Sequence, residues 1–310
     1  MIFTLPKKNN RVFVVGADSY LGGHFVKYWL ENGCEVHGCG EQHLANELLK
    51  QIKYSVTDYL TWHLPVTDYD WIIICLDPAQ NSKIYSGSIK CLCDYIESNK
   101  ITAPICYPSS YMICEANSKK AISENVRITP HSEYEMNIAA AELYLTMRSY
   151  RTDGLLLSYI LRMGELYGQE ITSSDIVAIP GLINEYWKNA MAGNSLDMYG
   201  LGLKKRTVTH IADACRFAIK YMNLDFAPRI INVPGERMQV VDFLMAIASH
   251  YNVNTSLVSP AQNNIFCNRF SGNQVLSDKL AKALVKYEHR YTFKRWLMQQ
   301  PTSHAGATMA

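Results

Sequence analysis

The sequence predicts an α/β fold: a doubly wound parallel sheet with a small mixed α/β carboxyl-terminal lobe. Three observations predict it. In the stretch from Arg11 to Gly33, "RVFVVGADSYLGGHFVKYWLENG", residues 12 to 15 form an apolar run rich in β-branched side chains, and Phe25, Val26, Trp29 and Leu30 recur at helical spacing. A buried strand therefore passes through a tight turn into a helix. Strand and helix patterns then alternate over about 160 residues, the order that builds a parallel sheet covered on both faces. After residue 168 the elements become less regular, which sets off the lobe.

Each later element has its own signal. Short strands are expected at Glu35 to Cys39 and Gln51 to Tyr54, then at "DWIIICL" (Asp70 to Leu76) and "APICYPSS" (Ala103 to Ser110). Helical spacing covers Ser82 to Asn99 and His131 to Tyr150, and the second of these leads into the apolar strand "GLLLSYILRMG". The carboxyl-terminal half reads as a glycine-containing segment near Tyr199 to Arg206, a helix over Ile211 to Met222, a strand near Arg229 to Val233 and a helix over Gln239 to Tyr251. Residues 1–168 are expected to form the first domain, completed by about 207–233. Residues 169–206 and 234–300 form the lobe, and the small, polar residues 301–310 are expected to fray.

Composition removes several function classes. With 310 residues and 48% apolar content, the chain can build a sizeable core. Its formal net charge of +2, with only short basic pairs or triplets, gives no footprint for nucleic acid. No run of about 18 apolar residues suggests a membrane span, and the apolar start is too short for a signal peptide. The nine cysteines sit mostly inside apolar strand or helix patterns without the paired spacing of a zinc site, so they read as reduced core thiols of a cytoplasmic protein.

The strand-to-helix turn carries the first chemistry. Backbone N–H groups at a helix start and the positive end of its dipole favour a phosphate, and Gly16 and Gly22 permit the sharp turn and close packing. The middle glycine of the usual three is Ser19. A turn that holds no nucleotide is the competing reading. Farther along, Ser109 and Ser110 end a buried strand at the edge where ligands bind, placing a hydroxyl where it can donate to a carbonyl or alkoxide oxygen. A serine pair that only terminates the strand is the alternative.

With these pieces in order, the chain resembles the extended short-chain dehydrogenase/reductase family, in its NAD-dependent epimerase/dehydratase branch acting on nucleotide sugars. The resemblance spans nearly the whole chain and rests on "GADSYLG", "YPSSYMIC", "PHSEYEMNIAAAE", "LRMGELYG" and "MYGLGLKKRTVTHIADACRFAI" followed by "INVPGE". It implies a Rossmann-like domain for NAD or NADP and a small lobe that closes over a nucleotide-sugar substrate. Gly16, Ser19, Tyr20, Leu21 and Gly22 then meet the cofactor, with Ser55 and Val56 near its adenine. Ser110 matches the catalytic serine or threonine. Tyr134 matches the catalytic tyrosine, which exchanges a proton with a sugar hydroxyl and also touches the cofactor. Arg162 and Arg206 match basic positions of the substrate cleft, where a guanidinium fork suits a diphosphate.

The chain also departs from the family pattern. One helical turn after Tyr134 the family has a lysine that lowers the tyrosine's pKa, and here it is Ile138. An unassisted phenol titrates near pH 10, so His131, on the same helical face, is a candidate for the missing charge. The acidic residue that holds the adenosine ribose falls on Gly40, with Glu41 next to it as a substitute that favours NAD. Glu165 stands where asparagine is common, and Cys114 where a tyrosine is. Two functions stay open: a nucleotide-sugar epimerase or 4-ketosugar reductase, or a catalytically silent relative that binds a nucleotide or a partner. A homodimer is expected in either case.

Overall fold

The computed structural model describes residues 3–4, 10–40, 49–52, 64, 66–79, 82–115, 120–151, 156–168, 181–199, 201–258 and 272–302. Its first half runs β1 (Phe3–Thr4), β2 (Arg11–Val15), α1 (Tyr20–Glu31), β3 (Glu35–Cys39), β4 (Lys50–Gln51), β5 (Trp71–Ile74), α2 (Ser82–Ser98), β6 (Ile105–Ser110), α3 (Glu133–Arg151) and β7 (Ser158–Met163). The second half runs β8 (Glu165–Tyr167), α4 (Leu182–Met191), β9 (Leu196–Tyr199), β10 (Lys205–His210), α5 (Ile211–Met222), β11 (Phe226–Ala227), β12 (Ile230–Asn232), β13 (Glu236–Gln239), α6 (Val240–Tyr251), β14 (Thr255–Val258), α7 (Lys279–Leu284) and α8 (Phe293–Met298).

The main sheet has seven strands in the order β12-β7-β6-β5-β2-β3-β4, every neighbouring pair parallel. Order reverses between β2 and β5, so the crevice at the carboxyl ends of those two strands is the expected ligand position. Alternation along β2 divides the core: Val12 and Val14 face a cluster that includes Phe25 and Trp29 of α1 and Phe217 of α5, while Phe13 and Val15 face Leu92 of α2 and Leu145 of α3. A second sheet, β13-β10-β8, with the pair β14-β9, takes β8 and most of β10 from the ranges expected in the first domain and joins them to strands expected in the lobe. Its core joins Tyr167, Ile183, Phe243, Phe293 and Trp296.

Element ends follow local chemistry. The strand expected from Ala103 starts at Ile105, because Pro104 has no N–H to give to the ladder. Helix α3 starts at Glu133, with Ser132 Oγ accepting from the Glu135 N–H at 3.2 Å and the Glu135 carboxylate accepting from the His131 N–H at 2.7 Å. Helix α6 starts one residue late because Gln239 and Asp242 form a capping box. Of the expected strand from Gln51 to Tyr54, Gln51 and Ile52 are described, and β4 takes in Gln51 together with Lys50 before it. Residues 303–310 of the expected frayed tail lie outside the described residues, as do Glu41, Ser55 and Val56. No helix among the described residues is long and apolar enough to cross a membrane.

Candidate functional site

The glycine loop is seated by its neighbours. Gly16 has φ +76°, and a Cβ there would lie 2.6 Å from the Cys75 carbonyl oxygen beyond β5. At Gly22 a Cβ would lie 1.9 Å from the Gly16 carbonyl oxygen, so neither position admits a side chain without moving backbone. The N–H groups of Gly16 and Ala17 both donate to the Cys39 carbonyl, at 2.8 and 2.9 Å, fastening the loop to the end of β3. Ser19 caps α1: its Oγ accepts from the Gly22 N–H at 3.0 Å. That replaces the expectation of free N–H groups throughout the turn. The Leu21 N–H, at the second helical position, has no acceptor among the described residues and remains suited to a phosphate.

The serine pair is divided by the period of the strand. Ser109 turns inward, 4% exposed, and donates from Oγ to Glu142 Oε2 at 2.7 Å. Ser110 faces the other way at the carboxyl end of β6, where its Oγ accepts from the Met112 N–H at 3.2 Å and starts the 3-10 turn Tyr111–Ile113. Because that bond uses a lone pair, the Ser110 O–H stays available as a donor. Tyr134, half-buried, stands in the first turn of α3, which packs on β6 and on this 3-10 turn. Asn137 Nδ2 donates to the Pro78 carbonyl at 3.0 Å, so the start of α3 is tied to the segment that leaves β5. Loop, serine and tyrosine thereby share one edge of the sheet.

Ile138 is 3% exposed and belongs to the core cluster of Tyr85, Tyr107 and Ile113. The Tyr85 and Tyr107 hydroxyls are 2.7 Å apart, and Tyr107 also donates to the Ile138 carbonyl at 3.5 Å. Burial, above all, pushes both phenols up, and the nearby Tyr134 adds to it. They are neutral donors beneath the site. His131 lies exposed just ahead of α3, and Cys114 is buried, its thiol pushed up to about 11 by burial.

Arg162, expected at the substrate cleft, is engaged inside the protein. It is 2% exposed, and its Nε and Nη2 meet Glu142 at 3.2 and 2.5 Å while Nη1 donates to the Glu124 carbonyl at 2.8 Å. Burial alone would lower the guanidinium's pKa, and the Glu142 carboxylate reverses that. Arg206, also 2% exposed, donates from Nη1 to the carbonyls of Lys205 at 3.1 Å and Gly272 at 2.8 Å, which anchors the segment beside β10. Glu165 is 5% exposed: one oxygen accepts from the Tyr111 hydroxyl at 2.6 Å, the other from the Leu182 N–H at the start of α4. Its charge therefore meets the positive end of that helix.

Glu142, Tyr111 and the capping role of Glu165 were not assigned from the sequence. Glu142 had a usable signal, since it stands two helical turns after Tyr134 on the same face. Tyr111 had none beyond its place after the serines, in a chain with 20 tyrosines.

The fold and its switch-point site define a class: a doubly wound α/β protein with a glycine loop, a serine and a tyrosine at one sheet edge. The chain belongs to the NAD dependent epimerase/dehydratase family, whose profile matches residues 12–233. Among solved structures it is similar to a dTDP-glucose 4,6-dehydratase from Bacillus anthracis in complex with NAD, at 15% identity, TM-score 0.75, covering 93% of this chain and 94% of that one. It is also similar to UDP-glucose 4-epimerases from Thermotoga maritima, with UDP-glucose (16% identity, TM-score 0.74), and Thermus thermophilus, with NAD (17%, 0.74). Each covers 93% of this chain and 96% of its own. No curated protein sequence matches.

Proposed function

We propose that the chain is an NAD(P)-dependent enzyme of nucleotide-sugar chemistry, an epimerase or 4-ketosugar reductase, with Tyr134 as acid/base. The observation that carries this reading is the shared edge: Ser110 at the end of β6, Tyr134 at the start of α3 and the Gly16–Gly22 loop, joined through the Pro78–Asn137 bond. The loop fits a dinucleotide, because its glycines are irreplaceable by contact and the Leu21 N–H faces the helix start. When bound, the nicotinamide would accept and return a hydride. The rest falls to the chain's side chains. Ser110 donates to the reacting sugar oxygen, and the Tyr134 hydroxyl exchanges the proton as charge develops there. On the substrate side this reading draws on Arg206, buried and with Nη1 engaged by backbone carbonyls, rather than on Arg162, which its buried ion pair withholds.

The test is turnover of UDP- and dTDP-linked hexoses, followed at the reduced nicotinamide band and by product analysis. Tyr134→Phe is expected to lower kcat by about 10²- to 10⁴-fold, the range for loss of a general acid/base, with melting temperature unchanged. Unchanged kinetics in that variant would remove the assignment. A silent binding protein is the second reading, favoured by Ile138, which puts a packed isoleucine one turn from Tyr134. Stoichiometric nucleotide-sugar binding without turnover would support it.

We propose further that the protein is a homodimer through the outer face of α3. Met136, Leu143, Met147 and Tyr150 are 59, 52, 55 and 70% exposed, and with Ala140 they recur at alternating spacings of four and three. Such a stripe on a helix is a contact surface. Light scattering should give twice the 35.2 kDa chain mass, and Leu143→Glu should shift it to the monomer. A wild-type monomer at micromolar concentration would refute this.

A further inference from the structure

Gly40 directly follows β3, at the carboxyl end of the strand beside the switch point. The space over its Cα is already taken: a Cβ there would lie 2.2 Å from Asp18 Oδ1, 2.3 Å from Asp18 Cγ and 2.8 Å from Oδ2. The carboxylate of the glycine loop thus stands where a side chain at position 40 would begin. Three features seat the loop that carries it against β3. The Gly16 and Ala17 N–H groups both bond to the Cys39 carbonyl, and Gly38 lets Ala17 come so close that a Cβ at 38 would lie 2.9 Å from the Ala17 Cβ. Asp18 itself is partly exposed at this edge.

In doubly wound sheets that bind a dinucleotide, an acidic residue about 20 residues beyond the glycine turn accepts from the adenosine ribose hydroxyls. In this chain that position is Gly40, which has no side chain. We propose that Asp18 supplies the ribose-binding carboxylate from the glycine loop itself, and that it makes the site select NAD over NADP. The inference rests on the dinucleotide reading above and names the residue that sets its specificity. A carboxylate in this place accepts from the paired hydroxyls of NAD. The 2′-phosphate of NADP would bring about −2 charge against it at close range, where two like charges repel. Glycine at 40 follows from the same geometry, since any side chain would displace the Asp18 carboxylate.

The experiment is calorimetric titration of the purified protein with NAD and with NADP, for the wild type, Asp18→Asn and the double variant Asp18→Ala/Gly40→Asp, each with its melting temperature. The wild type should bind NAD more tightly than NADP. Asp18→Asn keeps the shape and removes the charge, so NAD affinity should fall about ten- to hundredfold and the gap to NADP should narrow. The double variant returns a carboxylate from the strand end with the crowding removed. Gly40 is not in the left-handed region, so aspartate is admissible there, and most NAD affinity and selectivity should return. If the wild type binds NAD while Asp18→Asn retains both affinities, the proposal is overturned and the dinucleotide reading survives. A wild type that binds neither dinucleotide overturns both.

Discussion

Arg162→Ala is expected to destabilise the protein by about 3–5 kcal/mol, the range for removing one partner of a buried ion pair. The guanidinium and the Glu142 carboxylate are each 2% exposed, and the pair joins β7 to α3. Without Arg162, the carboxylate keeps the Ser109 hydroxyl, at 2.7 Å, as its partner, and its charge stays buried. The Glu124 carbonyl loses a donor in the same step. Glu142→Ala should be as damaging from the other side. Replacing both partners by methionine should recover most of the loss, because no isolated charge is then left inside. Urea unfolding, read as a midpoint at constant slope, measures all three. A loss below about 1 kcal/mol in the single variants would show that water reaches the pair. Since Ser109 precedes Ser110 on β6, the pair also fixes the strand end that carries the Ser110 hydroxyl.

Ile138→Lys restores the family's lysine and is expected to cost about 2–4 kcal/mol at neutral pH. The position is 3% exposed among Tyr85, Tyr107 and Ile113, so the ammonium would enter an apolar cluster. The one carboxylate a turn ahead, Glu142, is already held by Arg162 and Ser109. The two phenols nearby are kept neutral by burial and offer no counter-charge. Burial lowers a lysine's pKa in the folded state, so the unfolded chain binds the extra proton more readily. The variant should therefore gain stability relative to the wild type as pH rises toward the ordinary lysine value near 10.4, and lose it as pH falls. Melting curves at several pH values, with and without millimolar NAD, measure this. If the variant is as stable as the wild type and NAD protects it more, the cluster opens onto the cofactor, and the enzyme reading gains its missing cation. Destabilisation that no cofactor relieves favours the silent relative.

What the sequence determined by itself was local. The apolar run at residues 12–15, rich in β-branched side chains, reads as a buried strand and forms β2. The order of these pieces was enough to place Ser110 at a strand end and Tyr134 in a first helical turn. The directions of the charged groups were a different matter. Arg162 reads equally well as a cleft ligand and as half of an internal pair, and the choice depends on Glu142, 20 positions away on another element. Glu165 finds Tyr111 across 54 positions and α4 across 17. Asp18 and Gly40 explain each other only when the loop is folded onto β3. Ile138 is buried because the strand carrying Tyr107 lies beneath it. Propensity and periodicity act over a few residues of chain, whereas a buried charge is decided by whichever partner the packed elements bring within about 3 Å of it, a distance along which sequence separation has no meaning.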